Sequence, residues 1–192
     1  MRLNQGVGRN FDEGAGVAGN LSEHVAGFVL RQGRAGDAAA VARLHVEVWR
    51  ETYRAIAPAD AYAALDETVR RRRWAEILAA PQPGRSVLLA ESEGALAGFG
   101  MAGPPSDPAF GARAELRSLY IDRRFQRRGL GRLLLDRLRR DMAAAGYPGV
   151  ALAVVVGNDR AVAFYEALGG RRIGRMTDPG PLWRSDNLVY AF

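Results

Sequence analysis

The chain has 192 residues, a length that suits one domain with a real core. It contains no cysteine and no lysine, only two histidines (His24 and His45), and its 27 basic residues are all arginine. This composition excludes disulfides, thiolate metal sites, a cysteine nucleophile, a three-histidine zinc site, lysine Schiff-base chemistry and a P-loop, whose lysine is a required part. The net charge of +6 favours anionic partners, which means nucleic acid or a phosphorylated cofactor, although all-arginine usage with abundant alanine and glycine also fits a GC-rich genome. No apolar run approaches the ~18–20 residues that span a bilayer, so no membrane association is expected. Residues 1–20 are rich in glycine and asparagine and lack the apolar stretch of a signal peptide, which makes a cytoplasmic location the expectation.

Residues 1–26 show no steady period and are expected to form a flexible leader ahead of a single domain over 27–192. A short apolar strand is predicted over 28–31. Gly36 and Asp37 then offer a cap to a helix with Val41, Leu44, His45 and Val48 on one face, where His45 reads as a packing residue. A second helical region covers 59–79, with Leu65, Val69, Trp74, Ile77 and Leu78 at helical spacing, and Pro81 and Pro83 end it. Its run Arg70 to Arg73 points in four directions around a helix, so it reads as a solvated surface and not as a nucleic-acid stripe. Two strands over 86–91 and 95–101 meet at Glu93-Gly94, a proline-rich loop follows at 103–108, and another strand runs over 115–122.

A helix over 130–145 carries Leu130, Leu133, Leu134, Leu138 and Met142 on one stripe and stops at Gly146. The apolar run 150–156 reads as a central buried strand. Asn158 or Asp159 caps a short helix bearing Ala161, Phe164, Tyr165 and Leu168, which Gly169-Gly170 ends. Strands over 172–176 and 187–192 close the chain. The order of elements gives a mixed α/β (α+β) fold without internal repeats.

The stretch that carries chemistry is Leu119-Tyr120-Ile121-Asp122, then Gln126-Arg127-Arg128-Gly129-Leu130-Gly131-Arg132. A strand leads into a glycine-containing turn that opens an amphipathic helix. The first N–H groups of a helix lack internal partners and the helix dipole adds partial positive charge, so this turn reads as a phosphate site. Arginines 124, 127, 128 and 132 add full charge around it. A dinucleotide-binding turn would need a third glycine where Leu134 stands, which makes a nicotinamide or flavin enzyme a poor fit.

Gln126-Arg127-Arg128-Gly129-Leu130-Gly131 resembles the Q/R-x-x-G-x-G/A motif of GNAT acetyltransferases. The strand before it looks like that family's fourth, and Asn158 to Gly169 is similar to its downstream Asn, Ala and Phe-Tyr signature. The segment from Val48-Trp49-Arg50 to Tyr53, Ile56 and Pro58 also looks like the first helix of many members. The resemblance covers roughly residues 28–192 and is strongest over 115–176. It implies a central twisted, mostly antiparallel sheet with a splayed parallel strand pair, flanked by helices.

The resemblance further implies acetyl-CoA as acyl donor, with no metal. Main-chain groups of Leu119, Tyr120 and Ile121 would pair with the pantetheine arm. Backbone amides of Arg127, Arg128, Gly129, Leu130, Gly131 and Arg132 would cradle the pyrophosphate, Asn158 would hold the pantetheine or the splayed strand ends, and Tyr165 would protonate the departing thiolate. An amine would attack the thioester directly, and the general base is expected to be Glu115, with Asp122 and Glu51 as weaker candidates. The expected partner is a small-molecule or peptide amine, without nucleic acid. The leader or the final strand could serve a homodimer. A non-catalytic acyl-CoA-binding module of the same fold is the alternative, and it would need no base.

Overall fold

The computed structural model describes residues 23–25 and 27–192, so most of the expected leader lies outside the described residues. Glu23–Val25, at the leader's end, form strand β1 and pair antiparallel with β2 (Phe28–Gln32). Gly27 turns the chain between them at φ 81°, a left-handed geometry that glycine adopts without steric cost. The chain continues through α1 (Ala38–Tyr53), α2 (Ala59–Ala64), α3 (Glu67–Ala79), β3 (Ser86–Ser92), β4 (Ala95–Gly103) and β5 (Ala114–Ile121). It ends with α4 (Leu130–Ala144), β6 (Val150–Val155), α5 (Asp159–Ala167), β7 (Arg171–Asp178) and β8 (Ser185–Ala191).

The helical region over 59–79 is two helices and not one. Leu65 leaves helical geometry, and the Asp66 carboxylate accepts from the Val69 N–H at 2.8 Å, which starts α3 afresh. The break resets the helical phase. Val69, expected on the apolar face, is 53% exposed, while Trp74 and Leu78 are buried.

Among the described residues the sheet has eight strands in the order β1-β2-β3-β4-β5-β6-β8-β7, mostly antiparallel, with β5 and β6 as its parallel pair. That pairing is short: Ala114 faces Val150 and Glu115 faces Ala151, and no register continues beyond them. β5 stays with β4 as far as Gly98 opposite Ile121. β6 instead follows β8, from Ala151 opposite Ala191 to Val155 opposite Asn187. The two parallel strands therefore part toward their C-terminal ends, as expected.

The two larger hydrophobic clusters lie on opposite faces of the sheet. On one face, Leu130, Leu134, Leu135, Leu138 and Met142 of α4 pack against Leu88, Leu116 and Leu152. Glycines in β4 let α4 sit this close: a Cβ at Gly100 would lie 2.7 Å from Leu138 Cδ1. On the other face, Val41, Leu44 and Val48 of α1 meet Trp74 and Leu78 of α3 over Phe99 and Met101. His45 is buried there, as expected of a packing residue. Clamping α4 and α1 to opposite faces leaves the gap between β5 and β6 bounded by α4 and α5 on one side and by the end of α1 on the other.

Candidate active site

The gap opens into a cleft of about 720 Å³. One wall is β5, from Leu116 to Ile121, whose edge toward β6 carries no sheet partner beyond Glu115 among the described residues. The register of β5 against β4 slips between Leu116 and Ser118, a bulge that bends the strand beside the cleft. Leu152, Ala153 and Val154 of β6 form the facing wall. The side chain of Gln126 closes the end of β5 by donating to the Ile121 carbonyl at 3.1 Å.

Next comes the turn. Arg127 and Gly129 both adopt positive φ, 63° and 81°, and Gly129 is the N-cap of α4 with no side-chain cap. The first N–H groups of α4 are thus left without a capping side chain beside the cleft. Arg127, Gly129, Leu130, Gly131 and Arg132 all line it. Arg128 does not: its guanidinium lies over the Phe125 ring, 5.5 Å from the centroid. Arg160, at the start of α5, lines the cleft and reaches Gln126 Oε1 at 3.3 Å. α4 and α5 meet closely here, since a Cβ at Gly131 would lie 3.0 Å from the Phe164 ring.

Three phenols line the same space, Tyr53 from the end of α1, Tyr120 from β5 and Tyr165 from α5. They sense one another: burial raises both Tyr120 and Tyr165 above the ordinary phenol range, and the nearby Tyr53 raises them further. Tyr120 stacks on His45 at 4.6 Å between ring centroids. Asn158 caps α5, its carboxamide oxygen accepting from the Ala161 N–H at 3.3 Å, and it lines the cleft together with Tyr53.

An uncapped helix start after a glycine turn, a parted parallel strand pair and an Asn-capped helix with Phe-Tyr are the parts the sequence resemblance implied. The profile described as the Acetyltransferase (GNAT) family matches residues 44–170. The chain belongs to the GNAT acetyltransferase family. It is 28% identical over 145 residues to an uncharacterised N-acetyltransferase of Bacillus subtilis, YuaI, covering 75% of this chain and 80% of that one. It is 34% identical over 110 residues to a phosphinothricin N-acetyltransferase of Streptomyces viridochromogenes, covering 57% of this chain and 60% of that one. Its fold is similar to the crystal structure of the PaiA N-acetyltransferase of Thermoplasma acidophilum in complex with coenzyme A. There the TM-score is 0.68 with 18% identity, covering 85% of this chain and 97% of that one.

In this GNAT acyltransferase the three carboxylates weighed as bases are placed very differently. Glu115 does not line the cleft; it pairs with Arg117 Nε at 3.1 Å and accepts from the Ser106 N–H at 2.9 Å. Asp122 caps the turn after β5 and binds Arg124 at 2.7 Å, which holds its carboxyl below the usual range. Glu51, near the end of α1, does line the cleft, and its nearest ion-pair contact is a long 3.7 Å to the exposed Arg123. Arg160 is outside the arginines expected around the turn and Glu51 is one of the two weaker base candidates, yet both line the cleft. Arg160 stands inside the recognised Asn158 segment and could have been read as added charge. Glu51 carries no local signal, because only the packing of α1 over β5 brings it to the cleft.

Among the described residues no helix is long and apolar enough to cross a membrane.

Proposed function

We propose that the chain transfers the acetyl group of acetyl-CoA to a primary amine by direct attack in a ternary complex. The observation that carries this reading is the parting of β5 from β6 over a cleft with an uncapped helix start at one end and three phenols at the other. The free edge of β5 at Leu119, Tyr120 and Ile121 suits a pantetheine arm laid in as a pseudo-strand. Backbone amides from Arg127 to Arg132, with the side chains of Arg127, Arg132 and Arg160, suit a pyrophosphate. Arg128 contributes through its backbone, since its side chain is held by Phe125.

Tyr165 is the proton donor to the departing sulfur. Burial keeps its phenol protonated well past neutral pH, which suits an acid. A main-chain N–H near Tyr120 or Ile121 steadies the negative charge that builds on the carbonyl oxygen. Glu51 takes the role first expected of Glu115, because it lines the cleft and Glu115 is engaged elsewhere. Glu51 accepts the ammonium proton through water. The amine nitrogen then bonds to the acetyl carbon, the carbon–sulfur bond breaks, the sulfur takes the Tyr165 proton, and the proton that the nitrogen sheds as the amide forms restores the phenol.

Calorimetric titration with acetyl-CoA tests the reading, run beside Gly129→Asn and Gly129→Glu variants. Asparagine tolerates the left-handed backbone of Gly129 and a Cβ there meets nothing within 4 Å, so binding should survive. Glutamate sets a negative charge at the helix start, and binding should be lost. Absence of binding by the wild type at low salt would sink the proposal.

A further inference from the structure

We infer that the acceptor is a primary amine with a single positive charge and an apolar body, and that Tyr53 is the positioning residue that seats its amino group. This rests on the acetyltransferase reading above and adds the acceptor to it.

The Tyr53 ring is fixed from two sides. Trp49, one turn earlier on α1, lies 5.1 Å from it between centroids, and Trp183, from the connection between β7 and β8, lies 5.6 Å away. Leu182, Tyr120 and Ala57 complete this apolar cluster. Across the same cleft the carboxamide oxygen of Asn158 is occupied by the Ala161 N–H, which leaves its amide N–H as the group that can face the Tyr53 oxygen. A phenol oxygen that accepts from one such donor still has capacity for another partner. It faces the space shared with Tyr120 and Tyr165, where the thioester must sit. An incoming amine can donate an N–H to this oxygen and keep its lone pair for the acetyl carbon.

Charge decides the class. The cleft is lined by Arg117, Arg127, Arg132 and Arg160 but by one acid, Glu51. One carboxylate balances one ammonium. A second ammonium on the same molecule would find no second carboxylate among the described residues of the cleft lining, since Arg127, Arg132 and Arg160 face the pyrophosphate and Arg117 is paired with Glu115. Beside Glu51, the acceptor side offers Val48, Thr52, Tyr53 and Tyr120, with the Trp49–Trp183 cluster behind Tyr53, which suits an apolar body.

Steady-state acetylation of phenethylamine and of spermidine tests both parts, on wild type, Tyr53→Phe and Tyr62→Phe. Tyr62 packs on Trp49 and donates to the Arg50 carbonyl but does not line the cleft, so it controls for loss of a phenol from the same cluster. Phenethylamine should be the better acceptor. Tyr53→Phe should lower its kcat/KM about ten- to hundredfold, chiefly through KM, as loss of a hydrogen bond to a charged group does. Calorimetric affinity for acetyl-CoA should stay within about twofold, and Tyr62→Phe should change neither quantity. Preference for spermidine, no turnover of phenethylamine, unchanged kinetics in Tyr53→Phe, or equal losses in acetyl-CoA affinity would each overturn the inference. If the wild type binds acetyl-CoA normally in those cases, the acetyltransferase reading stands without it. If it binds none, both fall.

Discussion

The indole N–H of Trp74 donates to Nδ1 of His45 at 3.1 Å, joining α3 to α1 inside the core. The acceptor role fixes the imidazole as the tautomer protonated on Nε2. Its ring also stacks on Tyr120, so a buried polar pair supports the back of the cleft. A protonated His45 would lose the Trp74 bond and bury an unpaired charge.

Stability should therefore depend on this imidazole. Burial, with Arg70 and Arg73 nearby, pushes its pKa from 6.5 down to about 3. The unfolded chain takes up a proton near 6.5 that the folded chain refuses. The contribution is fully present above 6.5 and drains away as pH falls toward 3, by about 1.4 kcal/mol per unit. Urea unfolding at a series of pH values between 7.5 and 4.5 measures the slope, and His45→Gln should flatten it. Equal stability across that range would mean that the imidazole charges in place.

Tyr165→Phe should lower kcat about a hundredfold and leave the affinity for acetyl-CoA nearly unchanged, because the ring and its contacts with Phe164 and Phe192 persist. The raised phenol pKa has a second consequence. Protonated Tyr165 persists beyond pH 10, so kcat should show no decline from this group up to that point. Single-turnover rates and calorimetry separate the two quantities. Unaltered kcat in the variant would show that the thiolate leaves without this acid, and would favour a non-catalytic role for the cleft if the wild type is also slow.

Gly100→Ala should destabilise the fold by about 1–3 kcal/mol, since its Cβ would press on Leu138 Cδ1 at 2.7 Å and force α4 outward. The start of α4 would move with it, so acetyl-CoA affinity should fall too. Thermal unfolding with and without acetyl-CoA reads both effects. A variant as stable as wild type would show that Leu138 can turn aside at little cost.

The order of elements was legible in the chain because each signal is local. The stripe Leu130, Leu134, Leu138 and Met142 announces α4, Gly129 marks its start, and the run from Val150 announces a buried strand. The split of the second helical region was also written locally, in Asp66 as a cap, and was passed over because the apolar spacing ran on across it. Most of the candidate cofactor residues were visible for the same reason. A strand, a turn and a helix start adjoin in sequence, and their backbone geometry follows from a few neighbouring residues.

Side-chain direction within that turn was not legible. Arg127 and Arg128 are chemically alike, yet the positive φ at Arg127 and the ring of Phe125 send them to different places. The acceptor side was hidden more deeply. Glu51 and Tyr53 lie on α1, far in sequence from Asn158 and Tyr165. Tyr53 shares the cleft with Asn158 only because the sheet places β5 beside β6 while α1 and α4 pack on opposite faces. By itself, then, the sequence determined the elements, the family and the glycine turn that opens α4, all set by short-range backbone preference and periodic burial. The tertiary structure alone decided which carboxylate and which phenol face the cleft, because that depends on strand order and on how far two parallel strands part.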